Sequence, residues 1–421
     1  VLRRDAHLVP LSSDRVLVLG NGEATDGIEV PLSGELWDPA TGAWTEIENL
    51  NKARTDFVAV ALADDRVLVA GGLNQEEPQQ SYSSAYLYDP RPGHEGWTKT
   101  GLMVAARSGA SAARLQDGRV LVAGGNFHVN PVSAVDAAPA VDLASYPGPA
   151  LFDIDPPNAG VALATAELFD PATGTWSEAK PMNYARHRAA AVTLADGRVL
   201  IVGSDDSSSD GFGITVDPLA FVTAELYDPA TGRFTLAGRL PDVDWAAIEA
   251  GGEPGANTRP DGDGAPLDVG TLVATQDGGA VLIGHTRWWK HVADLTRSFR
   301  FDPATATWSE IGKPWASVGE PSPVPLTTPG VRNVAATLVA AIPGGRILVA
   351  GGAGESGNGS DVAELYDPAT DAWTPLSPMP DARWGGTAAT LADGSVLIVG
   401  GLIDEGVAGA AGPKSAVRFV P

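Results

Sequence analysis

His187 and His285 are the side chains in this sequence best suited to proton transfer, because imidazole is the group whose unperturbed pKa lies near neutrality. Arg186, next to His187, would hold an anionic group in such a reaction. Adding His128 gives three imidazoles, a set that with one open position suits zinc or another divalent transition metal. Hard oxygen donors are also present. Asp205 and Asp206 stand near Asp210, Asp153 near Asp155, and Asp261 and Asp263 near Asp268. Calcium takes such carboxylates, although none of these groups follows the twelve-residue calcium-loop pattern. A different chemistry is offered by Trp288 and Trp289, flanked by Arg287, Lys290 and His291, and by Trp384. Indoles stack on sugar rings or anchor a protein partner. Arg54, Arg107, Arg186 and Arg332 recur along the chain and would bind carboxylate or sulfate bidentately. Each group also has a plainer reading. Histidines pack, tryptophans pin long loops, acids are solvated charge, and the arginines bond carbonyls at the loop bases. His7 and His94 have only the plainer one.

Composition closes several routes. The chain has no cysteine, so it has no disulfide, no thiolate nucleophile and no Cys-ligated metal. No Gly-x-Ser-x-Gly nucleophile elbow occurs. The formal charge of −24 argues against nucleic acid, whose phosphates need a basic footprint. No apolar run reaches about twenty residues, so no membrane-spanning helix is expected. The chain begins at Val1 without Met, as after signal-peptide removal or simple trimming. A secreted or cell-envelope location is the expectation, with the cytoplasm as the alternative.

The elements that must position these residues repeat. Small residues, a tight turn and a run of branched aliphatics ending in glycine recur, clearest across Ala189–Gly203. Asp117-Gly118, Asp196-Gly197 and Asp393-Gly394 occupy the turn, and Gly344-Gly345 occupies it in a fourth copy. Asp-Gly between apolar runs predicts a type I′ hairpin with positive φ at both residues. A second phrase alternates with the first, as in Glu167-Leu168-Phe169-Asp170-Pro171 followed by Trp176, and Glu364-Leu365-Tyr366-Asp367-Pro368 followed by Trp373. Its Pro-Ala-Thr-Gly turn needs a left-handed last residue, where Ala306 and Asp371 replace glycine. Each unit therefore carries four strands: a small, b aliphatic, c alternating, and d opening on an aromatic that fills the gap between neighbours. Strand b, apolar on both faces, would be sandwiched. Copies of b end at Gly20, Gly72, Gly125, Gly203, Gly284, Gly352 and Gly401, which predicts seven sheets in a ring. The expectation is an all-β, single-domain propeller over 1–421. Its blades span approximately 3–50, 54–103, 107–182, 186–240, 268–314, 332–380 and 383–421. The last blade has no strand d and is expected to be three-stranded or closed by the N-terminus, which itself supplies at most a scrap of strand.

These residues resemble the Kelch repeat over nearly the whole chain. The marks are the double glycines Gly71-Gly72, Gly124-Gly125, Gly351-Gly352 and Gly400-Gly401, the aromatic-Asp of strand c and the later Trp. An arginine before strand a completes them: Arg54, Arg107, Arg186, Arg332 or Arg383. The resemblance implies the propeller fold. It leaves function open, because Kelch rings include adaptors, sugar binders and enzymes. The galactose-oxidase relatives of these rings need a cysteine-modified tyrosine beside copper, and this chain has no cysteine. Strand direction puts the a–b and c–d turns at one end of each blade and the b–c and d–a loops at the other. The insertions fall at the second end, which marks it as the functional face. Two functions follow. One is a binding module gripping a glycan, a small molecule or a protein through Trp288, Trp289, Trp384 and the arginines. The other is an enzyme of polysaccharide-lyase or cyclase type with His187 and His285 as acid and base, with or without a metal.

Overall fold

A computed structural model describes residues 3–22, 32–50, 52–74, 80–128, 160–204, 219–220, 223–241, 267–286, 298–312, 338–352, 359–383, 385–401 and 416–421. The named elements are all strands, and they form the seven-bladed β-propeller class: six four-stranded sheets and a three-stranded last one, with two small hairpins besides. Strand a of the first blade is a full strand, Arg3–Pro10, where the sequence led us to expect at most a scrap. The alternation of residues in this stretch was obscured by its charged start. The chain groups into two compact units, Leu11–Arg239 and Val1–Pro10 with Leu240–Pro421.

Within Leu11–Arg239, strand b explains the packing. Val120–Ala123 is buried at all four positions. Val120 and Val122 join a core with Leu68 and Leu87 of blade 2, while Leu121 and Ala123 join one with Val199 and Ile201 of blade 4. Successive side chains point to opposite faces, so a strand sandwiched between blades must be apolar throughout. The other unit repeats this: Ile347 and Val349 face the Val281 and Ile283 side, and Leu348 and Ala350 face the Val396 and Ile398 side. Neighbouring a strands lie side by side in both units. Small residues there permit the close approach.

The turns at the plain end differ in one respect from expectation. Gly118, Gly197 and Gly394 have φ of 91°, 88° and 83°, but the aspartates before them are not left-handed. Gly118 N–H donates to Leu115 O at 3.0 Å and Leu115 N–H to Arg119 O at 2.8 Å. This is a type I turn closed by a left-handed glycine, a three-residue hairpin loop, rather than type I′. The aspartate has another duty: Asp117 accepts from Arg119 N–H at 3.0 Å and from its Nε at 2.8 Å. The c–d turns follow the sequence reading. Asp38, Asp170, Asp228, Asp302 and Asp367 each accept from the amide two residues on, at 2.8–2.9 Å. Ala306 (φ 53°) and Asp371 (φ 51°) take the left-handed position held elsewhere by Gly42, Gly174 and Gly232. Ala306→Gly should stabilise the protein by about 1 kcal/mol, since it removes a Cβ from a left-handed residue. The check is a higher urea midpoint at unchanged slope.

Aromatic pairs join c to d in six blades, with ring centroids 4.9–6.2 Å apart. Trp176 packs against the core shared by blades 2 and 3 and Trp373 against that shared by blades 5 and 6, as expected, and Trp308 is buried against Phe301. Trp44 is 39% exposed beside Trp37.

Candidate functional site

The arginines before the a strands of blades 2, 3, 4 and 7 build the frame of the loop-rich end of these blades. Arg54, Arg107, Arg186 and Arg383 are at most 1% exposed. Each donates from Nη1 to the carbonyl of the first glycine after its own strand b. Gly71 O lies at 2.9 Å, Gly124 O at 2.7 Å, Gly203 O at 3.0 Å and Gly400 O at 3.2 Å. The backbone of the same arginine serves the preceding blade. Gly72 N–H reaches Arg107 O at 2.9 Å, Gly125 N–H reaches Arg186 O at 2.8 Å, and Gly352 N–H reaches Arg383 O at 2.9 Å. The double glycine follows from this contact. A Cβ on Gly71, Gly124 or Gly351 would stand 2.4–2.6 Å from that carbonyl, and the backbone there is left-handed. The carbonyl-bonding reading of Arg54, Arg107 and Arg186 is thus the arrangement present.

Buried guanidinium needs an opposite charge or a π face. Arg107 pairs with Glu167 at 2.7 Å, and Arg186 with Glu225 at 3.2 Å. These glutamates also accept from the incoming linkers, Glu167 from Val104 and Ala105 N–H and Glu225 from Asn183 and Tyr184 N–H. Blade 2 has Tyr86 where blades 1, 3, 4 and 6 have glutamate, and Arg54 lies 5.2 Å from the Tyr86 ring and 4.8 Å from that of Tyr82. Arg383 pairs with Asp381 at 3.4 Å, and burial pushes its pKa down. Sequence reading missed the glutamates, although Glu35, Glu167, Glu225 and Glu364 hold the same place in the repeated phrase.

Two residues beyond the arginine, the chain is left-handed: Asp56 (φ 52°), Gly109 (φ 58°), Arg188 (φ 48°) and Gly385 (φ 65°). In blades 2 to 4 these positions bond in series, Gly109 N–H to Asp56 O and Arg188 N–H to Gly109 O, both at 2.7 Å. The Arg188 guanidinium then crosses Gly109 to chelate Asp56, with Nε and Nη2 each at 3.0 Å from a carboxylate oxygen. This pair remains 33% and 23% exposed. Gly109 permits the crossing, because a Cβ there would meet His187 Nε2 at 2.3 Å and Arg188 Cγ at 3.0 Å. His187 is 3% exposed, and Ser204 Oγ clamps its backbone by accepting from N–H at 3.0 Å and donating to O at 3.2 Å. Ser204 thus uses the place of a second glycine to fix the chain beside Arg188.

The same end carries added structure. Hairpins Leu73–Asn74 with Gln80–Ser81, and Asn126–His128 with Gly160–Ala162, extend the b–c loops of blades 2 and 3. His128 lies at the tip of the second. His285 lies in strand Ala280–Thr286, opposite Asp268. The side chains of His128 and His285 lie outside the described residues, as do Trp288, Trp289, His291, Arg332, Trp384, Asp205, Asp206, Asp261 and Asp263 entirely. Among the described residues, no three His, Asp or Glu come together as a metal-holding group. No described helix is long and apolar enough to cross a membrane.

Comparison with known proteins agrees with the repeat. The family model for the Kelch motif matches residues 336–380. Kelch-like protein 36 of Bos taurus is 21% identical over 240 residues, 56% of this chain and 32% of that protein. The Rattus norvegicus protein of the same name is 22% identical over the same shares. The match spans about a third of the length of these curated relatives. Among solved structures, a copper-bound fungal alcohol oxidase described as showing catalytic diversity among the AA5 family aligns with a TM-score of 0.62. The identity is 16%, covering 99% of this chain and 74% of that one. At that identity the likeness concerns the fold alone. The seven-sheet propeller, with the Kelch motif matched at residues 336–380 and Kelch-like relatives, supports a Kelch-repeat β-propeller.

Proposed function

We propose that this propeller is a binding module that takes a protein partner on its loop-rich end. The observation carrying this reading is the asymmetry of the blades. One end is closed by short turns whose aspartates cap their own backbone. The other bears extra hairpins and a part-exposed Arg188–Asp56 pair set on a rigid frame. Rigid elements presenting loops suit recognition. The frame arginines do not supply the contacts, being buried; Trp288, Trp289 and His291, which follow a strand b in the sequence, and Trp384, which precedes a strand a, are the proposed anchors. Proton transfer by His187 would require it to reach a substrate, and its burial lends the enzyme reading no support. With no cysteine to oxidise, the chain loses nothing in an oxidising compartment, and we extend the proposal to a secreted or cell-envelope location.

Protein and glycan arrays probed with the purified chain test this. A protein ligand should be held, and the double change Trp288→Ala, Trp289→Ala should weaken it about a hundredfold, as loss of two hot-spot aromatics does. Trp44→Ala, at an exposed indole on the plain side of its blade, should leave it unchanged. Retention on sugars alone would replace the protein ligand with a glycan. Equal effects of the two variants would remove the loop-rich end from the reading.

A further inference from the structure

Blade 4 presents a second, independent surface along its outer strand. Its sheet runs Ala190–Thr193, Val199–Val202, Thr223–Asp228 and Arg233–Arg239 in that order. Among the described residues nothing pairs with the outer edge of Arg233–Arg239. Three features set this strand apart from the other d strands. It is seven residues long, where each of the others has four. It carries two arginines and no acid in a chain of charge −24, and both Arg233 and Arg239 are exposed. Leu236 is 53% exposed, more than any other large apolar side chain in a described strand.

The register shows what the edge offers. In blade 3, Ala179 N–H donates to Ala166 O at 2.9 Å. Bonded pairs alternate along an antiparallel ladder, so Leu168–Ser177 and Asp170–Thr175 are bonded and Phe169–Trp176 is not. Blade 4 repeats this register, with Asp228 opposite Arg233, Tyr227 opposite Phe234 and Leu226 opposite Thr235. The N–H and C=O groups of Phe234 and Leu236 are therefore directed to the open edge. Past Leu236 the register shifts, Ala237 and Gly238 standing against Ala224, with Gly238 at φ 78°. This bulge bends the strand and closes the open stretch. A second copy of the chain is disfavoured there. Two such strands paired antiparallel about Leu236 would set Arg233 of each copy against Arg239 of the other, and like charges placed opposite destabilise a ladder. We propose that this edge accepts an extended acidic segment of a partner protein. The segment would add antiparallel to the strand, with a branched apolar residue beside Leu236 and a carboxylate toward each of Arg233 and Arg239. The backbone groups of Phe234 and Leu236 supply affinity, and Leu236 with the two arginines supplies selection.

The probe is the fluorescein-labelled peptide Glu-Thr-Thr-Ile-Thr-Thr-Glu-amide. Binding to the full chain is followed by fluorescence anisotropy, and edge protection by hydrogen exchange over residues 233–239. Saturable binding with slowed exchange of the Phe234 and Leu236 amides is expected, and added salt should weaken it by screening the carboxylates. Changing both peptide glutamates to Lys should weaken binding about tenfold, and changing the Ile to Gly about fivefold. N-methylation of the Ile amide, which removes a donor from the bonding edge, should abolish it. All three controls alter only the peptide, so folding of the protein is not at issue. Equal binding of the lysine peptide or of the N-methylated peptide, or unchanged exchange at Leu236, would overturn the proposal. Slow exchange at Leu236 in the free chain would overturn it as well, by assigning the edge to the chain itself or to a second copy. None of these outcomes depends on Trp288 or Trp289.

Discussion

Glu225→Ala should destabilise the protein by about 3–5 kcal/mol, the range found when one partner of a buried ion pair is removed. Both Arg186 and Glu225 side chains are wholly buried. The carboxylate accepts from Arg186 Nε and Nη2, from the Asn183 amide and side chain, and from the Tyr184 amide. Alanine leaves a buried cation without its counter-charge and strips the entering linker of its acceptors at once. Glu225→Gln keeps the shape and one acceptor, so its loss should be smaller. Tyr86→Ala in blade 2 should also cost less, since a ring face at 5.2 Å contributes about 0.5–2 kcal/mol to a cation. Urea unfolding of the three variants gives the order. A Glu225→Ala loss below that of Tyr86→Ala would mean that the carboxylate is not what neutralises Arg186.

Gly124→Ala should cost about 2–5 kcal/mol. The left-handed backbone at φ 70° accounts for about 1–2 kcal/mol and crowding for about 1–3 kcal/mol. The new Cβ would lie 2.5 Å from Arg186 O, a backbone atom that cannot swing aside. The adjacent bond from Gly125 N–H to Arg186 O would be displaced with it. Gly400 supplies the control. Its φ is a similar 72°, but no described residue lies within 4 Å of its Cβ position. Gly400→Ala should therefore show the conformational part alone. Equal losses at the two sites, compared as urea midpoints, would show that contact with the next blade is not what glycine serves.

Much of the frame could be read from residue types, because it depends on local conformation and period. The seven aliphatic b strands, the left-handed Ala306 and Asp371, and the three-stranded last blade all follow from patterns within a few residues. The turn type did not follow. Asp-Gly fits both a two-residue and a three-residue loop, and the bond from the Arg119 N–H to the Asp117 carboxylate favours the second. Glu167 and Glu225 were printed in the repeat, yet they lie 60 and 39 residues from their arginines, and only the sheet brings them together. Arg188 and Asp56, separated by 132 residues, share no motif at all. Their meeting depends on Gly109 in the blade between them, which is a fact of packing.

The serial bonds from Gly109 to Asp56 and from Arg188 to Gly109 have a bearing on how the molecule comes apart. Blade 3 is tied on both sides by main-chain bonds at this rim, and Arg188 bridges over it. A fluctuation that frees blade 3 must break both ties, while one that frees blade 2 or 4 also severs the bridge. Opening in this region is therefore collective across three blades, and amide exchange at Gly109 and Arg188 would share one rate.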